Sequence, residues 1–494
     1  MNLNPKWVPM RWPCGPIEAA RLSKSGGNEE LKKTIEGWTQ PSSLQMLKGT
    51  PINCLVVDWA LGTSDDEAQQ LALKHLIANG RQLGLSFVGK VAANKNLTAM
   101  VAAGRAAGLE AVMLEGPAKQ SLDLPAILEF PRDSIDWDLT TDIFSATGNV
   151  WPGVALPTMR GDTGVGGPTG DPWVDSNGWF ALLARQMVAS KSLWLDIGLP
   201  KSSKALPVEN YCLAIADSRV YGSRWIISLD DAMRTGMLNG DAQAMAAWKR
   251  INATLSFFDG HAAWEAYKPM GILAVVSDFR GQNAFMAGET LNLLNRRQVQ
   301  FEILDRRRAL TSLVTGLKAI LWVDEDAPSA VQHRNLLAFV QQGGTVIAPK
   351  YWGPAGIAPR RENWLFDYDI YDVSKGRIVR AAGGFSDPYQ LARDTHLLVG
   401  RENDLARLYN PGTTNCYTSI NPDHRKQLVQ IVNYASDAAS YVALWVSMKA
   451  KGAKLYVPNS QTPNPLGGVP ESDGTSFELP VLSVNCAVEI ERVV

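Results

Sequence analysis

The sequence predicts an α/β protein in which an N-terminal barrel of eight parallel strands precedes a smaller open α/β sheet and an antiparallel β-sandwich. Over the first 268 residues, apolar segments typical of buried strands alternate with amphipathic helical segments, as in parallel α/β folds. The alternation restarts after Pro269, and beyond residue 405 it gives way to strands separated by Gly, Pro, Asn and Ser turns. A chain of 494 residues is long enough for about three domains, and their predicted bounds are 1–268, 269–405 and 406–494.

Eight segments of the first domain have the composition of strands. Several are apolar nearly throughout, as expected for parallel strands that are covered on both faces. The predicted strands are Trp7–Trp12, Asn53–Trp59, Leu85–Val91, Glu110–Glu115, Ala126–Phe130, Trp151–Leu156, Ser192–Ile197 and Arg224–Asp230. Eight strands alternating with helices predict a closed (β/α)₈, TIM-like barrel.

The two later domains show different patterns. From Gly271 the order strand, helix, strand, helix predicts an open parallel sheet of the flavodoxin or class I amidotransferase type. In the final segment Val484, Cys486, Val488 and Ile490 alternate with more polar residues, which predicts a half-buried strand of a small antiparallel β-sandwich.

Composition excludes several classes of function. Lys and Arg total 48 against 49 for Asp and Glu, so no net charge attracts nucleic acid or an anionic membrane. The five cysteines form no CxxC pair and the histidines no HxH or HExxH spacing, which predicts that no metal or other cofactor is used. No apolar run approaches a bilayer-spanning length and no secretion signal starts the chain, so we expect a soluble protein; export after removal of a signal is an open alternative.

Charged residues fall where the predicted barrel strands end. Asp58, Glu115, Glu129, Asp196 and Asp230 end strands two, four, five, seven and eight, and Arg11 and Lys90 end strands one and three. Functional side chains of such barrels come from this end of the strands. Cleavage of a glycosidic bond needs one protonated acid and one ionised nucleophile or base, so paired carboxylates at this position indicate that chemistry.

Glu115 and Asp196 are the predicted catalytic pair, because strands four and seven face each other across an eight-stranded barrel. Glu115 is the expected proton donor and Asp196 the expected nucleophile or base. A pair formed by Glu129 and Asp230 is an alternative, and so is a structural role in which such carboxylates only cap loops or helix N-termini.

Tryptophan usage favours a sugar ligand. Twelve of the 16 tryptophans precede Pro269, and an indole can place its apolar face on a pyranose while its N–H finds a polar partner. Trp12, Trp59 and Trp194 lie near strand ends, and Trp173 ends the Gly-rich loop that begins at Met159. That loop is predicted to form a wall of the active site; the alternatives are core packing for the indoles and a solvated loop.

The order of the three parts resembles the multi-domain β-galactosidases of glycoside hydrolase family 42 and related glycosidases. The resemblance rests on the segments Arg224–Gly236, Ala244–Phe258, GGTVIAPK, LVQIVNYA and FELPVLSVNCAVEIE. It implies a bacterial protein with a catalytic barrel, a cysteine-less amidotransferase-like domain used in assembly, and a short β-domain. Homo-oligomers through the middle domain are therefore expected.

Two positions depart from that family. The family has Asn before its strand-four Glu, whereas Leu114 precedes Glu115 here, and Asp196 stands where the family has a Glu nucleophile. β-Galactosidase activity is therefore not implied. No cysteine lies between Cys212 and Cys416, so the thiolate of an amidotransferase is also absent.

The sequence as a whole predicts a glycoside hydrolase that acts on an unidentified oligosaccharide. The substrate-binding candidates are Arg11, Trp12, Asp58, Trp59, Lys90, Glu129, Trp173, Trp194 and Asp230. One alternative is a non-catalytic carbohydrate-binding or assembly protein on a barrel that has lost activity. A further possibility is a small ligand bound at the strand ends of the middle domain.

Overall fold

The computed structural model describes a mixed α/β protein that divides into two compact units. Residues Met1–Pro152 and Val188–Ala262 form the first unit, and Gly153–Met187 and Ala263–Val494 form the second. The described residues are 3–15, 18, 29–59, 64–91, 96–116, 122–135, 137–155, 173–200, 205–308, 310, 316–350, 354, 356–363, 367–460 and 462–493.

The first unit contains a nearly closed barrel sheet of eight parallel strands. The strands of residues 9–225 are β1 (Pro9–Arg11), β2 (Cys54–Asp58), β3 (Ser86–Val91), β4 (Ala111–Glu115), β5 (Ala126–Pro131), β6 (Ile143–Thr147), β7 (Gly153–Ala155), β8 (Trp173–Asp175), β9 (Ser192–Leu195) and β10 (Arg224–Trp225). The order in the barrel is β1-β2-β3-β4-β5-β6-β9-β10. The first and last strands meet where the amide of Arg11 donates to the carbonyl of Ile227 at 2.8 Å.

Helices follow the barrel strands along the chain. They are α1 (Glu29–Thr39), α2 (Ser64–Gln82), α3 (Leu97–Ala107), α4 (Gly178–Met187), α5 (Val208–Val220), α6 (Asp231–Leu238) and α7 (Ala242–Gly260). Helix α4 belongs to the second unit, whereas the other six lie within the first. Among the described helices, none combines the length and apolar character that crossing a membrane requires.

The prediction of eight parallel strands is confirmed, but the predicted sixth strand is wrong. Ile143–Thr147 takes that place between β5 and β9, and Gly153–Ala155 pairs instead with Trp173–Asp175 in an antiparallel hairpin. Trp151 accounts for part of the error: its ring packs edge-on against Trp225 at 5.6 Å, so its apolar character reflects ring packing and not a place in the barrel sheet.

Alternate residues of the barrel strands fill its interior. These buried core residues include Cys54, Val56, Val88, Ala111, Met113, Ile127, Ile143, Trp194 and Ile226. Because successive side chains of a strand point to opposite faces, the residues two positions along from these also face inward. This alternation of inward and outward side chains determines which strand-end residues lie together.

The second unit contains a seven-stranded sheet and two antiparallel sheets. Its strands are β11 (Lys268–Pro269), β12 (Leu273–Ser277), β13 (Phe301–Asp305), β14 (Ala319–Trp322), β15 (Thr345–Ala348), β16 (Arg360–Asn363), β17 (Asp367–Val373), β18 (Gly376–Ala381), β19 (Ala406–Tyr409), β20 (Thr414–Ile420), β21 (Lys426–Asn433), β22 (Ala443–Val446), β23 (Ala450–Tyr456), β24 (Asn464–Leu466), β25 (Gly468–Pro470), β26 (Thr475–Glu478) and β27 (Asn485–Arg492). Its later helices are α8 (Gln282–Arg296), α9 (Ala330–Gln341) and α10 (Pro388–Val399).

The seven-stranded sheet has the order β13-β12-β14-β15-β18-β17-β16. Its first five strands are parallel, β17 pairs antiparallel with β18, and β16 pairs antiparallel with β17. The remaining strands form sheets of order β11-β20-β21-β27-β23-β24 and β19-β22-β26-β25. Val429 and Val488 of the first share one apolar core with Leu444 and Phe477 of the second, which is how the two faces of a sandwich bury each other. The amidotransferase likeness and the three domain bounds stay predictions.

Candidate active site

Charged side chains line the inward face of the barrel where its strands end. Each comes two positions after an inward core residue: Asp58 follows Val56, Lys90 follows Val88, Glu115 follows Met113, Glu129 follows Ile127, and Asp196 follows Trp194. Arg11 pairs with Val56 in the register of β1 and β2, so it shares this face. We name these six residues, Arg11, Asp58, Lys90, Glu115, Glu129 and Asp196, the rim cluster.

Lys90 joins two carboxylates of the rim cluster. Its Nζ lies 2.8 Å from Oε2 of Glu129 and 3.6 Å from Oδ2 of Asp196. The Nη2 of Arg11 lies 2.7 Å from the same Asp196 oxygen. The carboxylates of Glu129 and Asp196 therefore lie on either side of one ammonium group, and Asp196 contacts two cations.

Burial and charge act against each other at Arg11. Burial alone lowers the pKa of this guanidinium, but Asp196, Asp58 and Glu129 raise it by more, and the net pKa lies above its ordinary value. Arg11 is therefore held as a permanent cation beside Asp196. Both ion pairs of Asp196 use its ionised form, which is the state that a nucleophile or base requires.

Glu115 stands in a different environment on the same face. It ends β4 opposite Glu129 in the register of β4 and β5, and its side chain is exposed. Within the described part of the chain, no hydrogen bond or ion pair engages the Glu115 carboxyl group. The inward face of the barrel therefore holds one carboxylate fixed between cations and a second one open to solvent.

The prediction that Trp12, Trp59 and Trp194 bind substrate does not fit their positions. All three rings are buried, and the N–H groups of Trp12 and Trp59 donate to the carbonyls of Trp38 at 2.8 Å and Met100 at 3.0 Å. A ring enclosed on both faces offers no surface to a sugar. These positions are corrected to packing residues.

The Gly-rich loop predicted to wall the site lies mostly outside the described residues. Trp173 begins β8, and its side chain is not among those described. Asp230 is the N-cap of α6 and accepts hydrogen bonds from the amide of Met233 at 2.7 Å and the hydroxyl of Tyr211 at 2.8 Å. Its carboxylate therefore has the capping role that the sequence left open as an alternative.

Two polar residues near the rim cluster were missed. Ser145 lies on β6 beside Glu129, is fully buried, and its hydroxyl has no hydrogen-bond partner among the described residues. Asn149 donates from Nδ2 to the carbonyl of Asp196 at 3.3 Å and to that of Ala146 at 2.6 Å. Both escaped notice because strand six was misplaced; a correct strand would have put Ser145 on the inward face.

A group of acidic residues outside the barrel has the spacing of metal ligands. Asp278, Asp324 and Asp326 follow β12 and β14 in the second unit, and their oxygens lie within 4.8 Å of one another. The guanidinium of Arg306 contacts all three at 2.8 Å. It already supplies the positive charge that such a group requires.

Comparison with known proteins identifies the fold. No family model matches the sequence, and neither does any curated protein. An α-L-fucosidase (isoenzyme 2) from Paenibacillus thiaminolyticus matches with a TM-score of 0.58 and 10% identity over 93% of this chain and 96% of that one. A cold-adapted β-galactosidase from Rahnella sp. R3 matches with a TM-score of 0.55 and 9% identity over 94% and 97% of the two chains. The chain therefore shares a fold with these two glycosidases along almost its whole described length.

Proposed function

We propose that the barrel is a glycoside hydrolase that cleaves an oligosaccharide, with Asp196 as nucleophile or base and Glu115 as proton donor. The observation that carries the proposal is the contrast within the rim cluster: Asp196 contacts both Arg11 and Lys90, whereas Glu115 is exposed on the same face of the sheet. Hydrolysis needs one carboxyl group as nucleophile or base and a second one as proton donor; the ion-paired Asp196 is assigned the first role, and Glu115, open to an incoming substrate, the second.

Glu129 and Lys90 position Asp196 in this proposal. Glu129 is 4% exposed and holds Lys90 from one side, so the ammonium group is directed at Asp196. Glu129 Oε2 and Asp196 Oδ2 can be no farther apart than the sum of their distances from Nζ. The two carboxylates therefore lie close together on the inward face of the barrel.

The two structural matches support the proposal. Both are named as glycosidases and extend over nearly the whole chain. Since one fold hosts many activities, this likeness favours the reaction class and leaves the sugar and linkage open.

The test is a screen of the full chain on aryl-glycosides and plant and microbial oligosaccharides. Asp196→Asn and Glu115→Gln should lower the rate of sugar release by about 100-fold or more, since a positioned acid or base contributes roughly that factor. Glu36→Gln, an exposed residue of α1, is the matched control and should keep the full rate. Equal rates in all four proteins would overturn the assignment.

A binding-only function is separated by the same samples. A carbohydrate-binding protein raises its melting temperature with a saccharide without releasing reducing sugar. Stabilisation of the wild-type protein without release, across every saccharide tested, would contradict the proposed hydrolase.

A further inference from the structure

The second unit contains a cavity of about 650 Å³. It lies among the end of α8, helix α10 and the strands β19 and β20, and it involves none of the rim cluster. Its size is within the range of about 300–1,000 Å³ that small-molecule sites occupy. The cavity is therefore large enough for an organic ligand.

The cavity wall carries an excess of positive charge. Arg296, Arg297, Arg401 and Arg407 line it, and Asp404 is the one carboxylate among its described lining residues. Asp404 is already engaged, because its Oδ2 accepts from Nε of Arg407 at 2.8 Å. Arg407 is thus neutralised within the wall, whereas Arg297 and Arg401 add positive charge to the space.

Arg297 is the arginine of the cavity wall whose positive charge is least balanced by neighbouring groups. Burial is the largest effect on its pKa and lowers it; Tyr389 opposes this, Arg401 and Arg393 lower the pKa further, and the net pKa lies below its ordinary value. Its Nε is buried without a hydrogen-bond partner in the part of the chain that the structure describes. No described carboxylate lies within ion-pair distance of Arg297 or Arg401. A desolvated guanidinium in this state favours an incoming anion.

Hydrogen bonds hold the walls of the cavity together. The amides of Leu408 and Leu405 donate to Oε1 of Gln298 at 2.8 Å and Oε1 of Gln300 at 3.0 Å. These bonds join the segment after α8 to β19, so the cavity is formed before any ligand arrives. Preformed walls reduce the entropy that binding must overcome.

A buried amide supplies a further donor. Asn415 is 4% exposed and lines the cavity, and its Nδ2 has no partner among the described residues. Buried donors are normally satisfied, so an unpaired amide in a residue that lines the cavity is a candidate donor for a ligand. Tyr389 and Tyr409 also line the wall and offer aromatic surface beside the charges.

We propose that this cavity binds a small organic molecule that carries a phosphate or sulfate ester, with Arg297 and Arg401 at the oxyanion and Asn415 as a further donor. The planar guanidinium fork matches the paired oxygens of such esters. The cavity far exceeds an inorganic ion in size, so the organic part occupies the remaining volume beside the tyrosines.

The test is isothermal titration calorimetry of the full chain at constant ionic strength with glucose 6-phosphate, glucose 6-sulfate and glucose as probes. Both esters should bind at least about tenfold more tightly than glucose, and Arg297→Gln should weaken ester binding by about tenfold, as expected for loss of a charged hydrogen bond. Arg425→Gln, an exposed arginine outside the cavity, is the matched control and should leave binding unchanged.

If Arg297→Gln fails to fold, Arg401→Gln provides the test. Arg401 is exposed, so its substitution should leave the fold intact. Ester binding that is absent, that is no tighter than glucose binding, or that is unchanged in the folded cavity variants would overturn the proposal. Glu115→Gln should bind the esters like the wild-type protein, so failure here and failure of the proposed hydrolase are distinguishable.

Discussion

At the scale of single residues, Lys90 determines how the carboxylates of the rim cluster are arranged. Its ammonium group is the shared partner of Glu129, which is almost fully buried, and of Asp196. A buried carboxylate that loses its cation is strongly disfavoured, whereas removal of both charges together is tolerated better. The stability of the barrel and the geometry of the proposed site therefore depend on the same contact.

Lys90→Met should lower the free energy of unfolding by about 1–3 kcal/mol, the cost of leaving a buried polar group without its partner. The double variant Lys90→Met/Glu129→Gln should recover part of this loss, because no buried charge is then left alone. Urea unfolding measures both, with the exposed Lys451→Met as control. A single variant as stable as the wild-type protein would show that this contact contributes nothing.

Asp324 should make the stability of the folded protein depend on pH. Burial raises its pKa from 3.8 to about 6, and this outweighs the hydrogen bonds from Ser277 and Asp278 and the charge of Arg306. The folded protein then binds more protons than the unfolded chain between these two values, so this residue's contribution to stability falls as the pH rises through that window.

The difference in unfolding free energy between the wild-type protein and Asp324→Asn should therefore fall between pH 4 and pH 7. Each unit of pKa separation is worth about 1.4 kcal/mol, so a fall on the order of 2 kcal/mol is expected. Urea titrations at several pH values measure it. A difference that stays flat or increases with pH would contradict the raised pKa.

At the scale of elements, two helices of the first unit both begin with an aspartate N-cap, but the two carboxylates accept different sets of hydrogen bonds. Asp230 caps α6 and also accepts from the amide of Leu206 at 2.9 Å and from Tyr211. Asp241 caps α7 by accepting from the amide of Ala244 at 2.8 Å.

Both Asp230→Ala and Asp241→Ala should destabilise the protein by about 0.5–2 kcal/mol, as loss of a cap does. The loss should be larger at Asp230, because its carboxylate has more donors to leave unsatisfied. Thermal unfolding measures this, and the rate per folded molecule of any hydrolysis should stay unchanged. A large fall in that rate with normal stability would return Asp230 to the substrate-binding residues.

The sequence was sufficient to predict most of the barrel strands, but not which of their residues face the barrel interior. Apolar runs predicted seven of the eight barrel strands in place, but Ser145 interrupts the run of β6 and hid it. Whether Trp12 or its neighbour Arg11 faces the barrel interior depends on strand register, which pairing partners settle and local composition does not. Trp59 follows inward Asp58 and points away from the interior for the same reason.

At the scale of the whole molecule, the chain leaves the first unit between β6 and β9 and contributes a hairpin and α4 to the second. A Cβ on Gly288 of α8 would lie 2.8 Å from the ring of Trp179 in α4, which shows how closely these helices approach. The predicted first domain, 1–268, includes this segment, because the burial of a helix against a distant part of the chain leaves no local pattern in the sequence.

Phe180→Ala tests whether α4 belongs to the second unit. Phe180 of α4 is 1% exposed, so its removal should cost the second unit about 3–5 kcal/mol. Hydrogen exchange should show faster exchange in β12 and β14 and unchanged exchange in β2 and β3. Phe285→Ala, 72% exposed on α8, is the control. Loss of protection in β2 and β3 alone would contradict the division into units.

The most direct measurement of the central claim is the rate of sugar release by the wild-type protein, Asp196→Asn, Glu115→Gln and Glu36→Gln on one substrate that the wild-type protein cleaves. The proposed site predicts loss of about two orders of magnitude in the first two variants and none in the third. Full activity in Asp196→Asn and Glu115→Gln, with the fold intact, would contradict it.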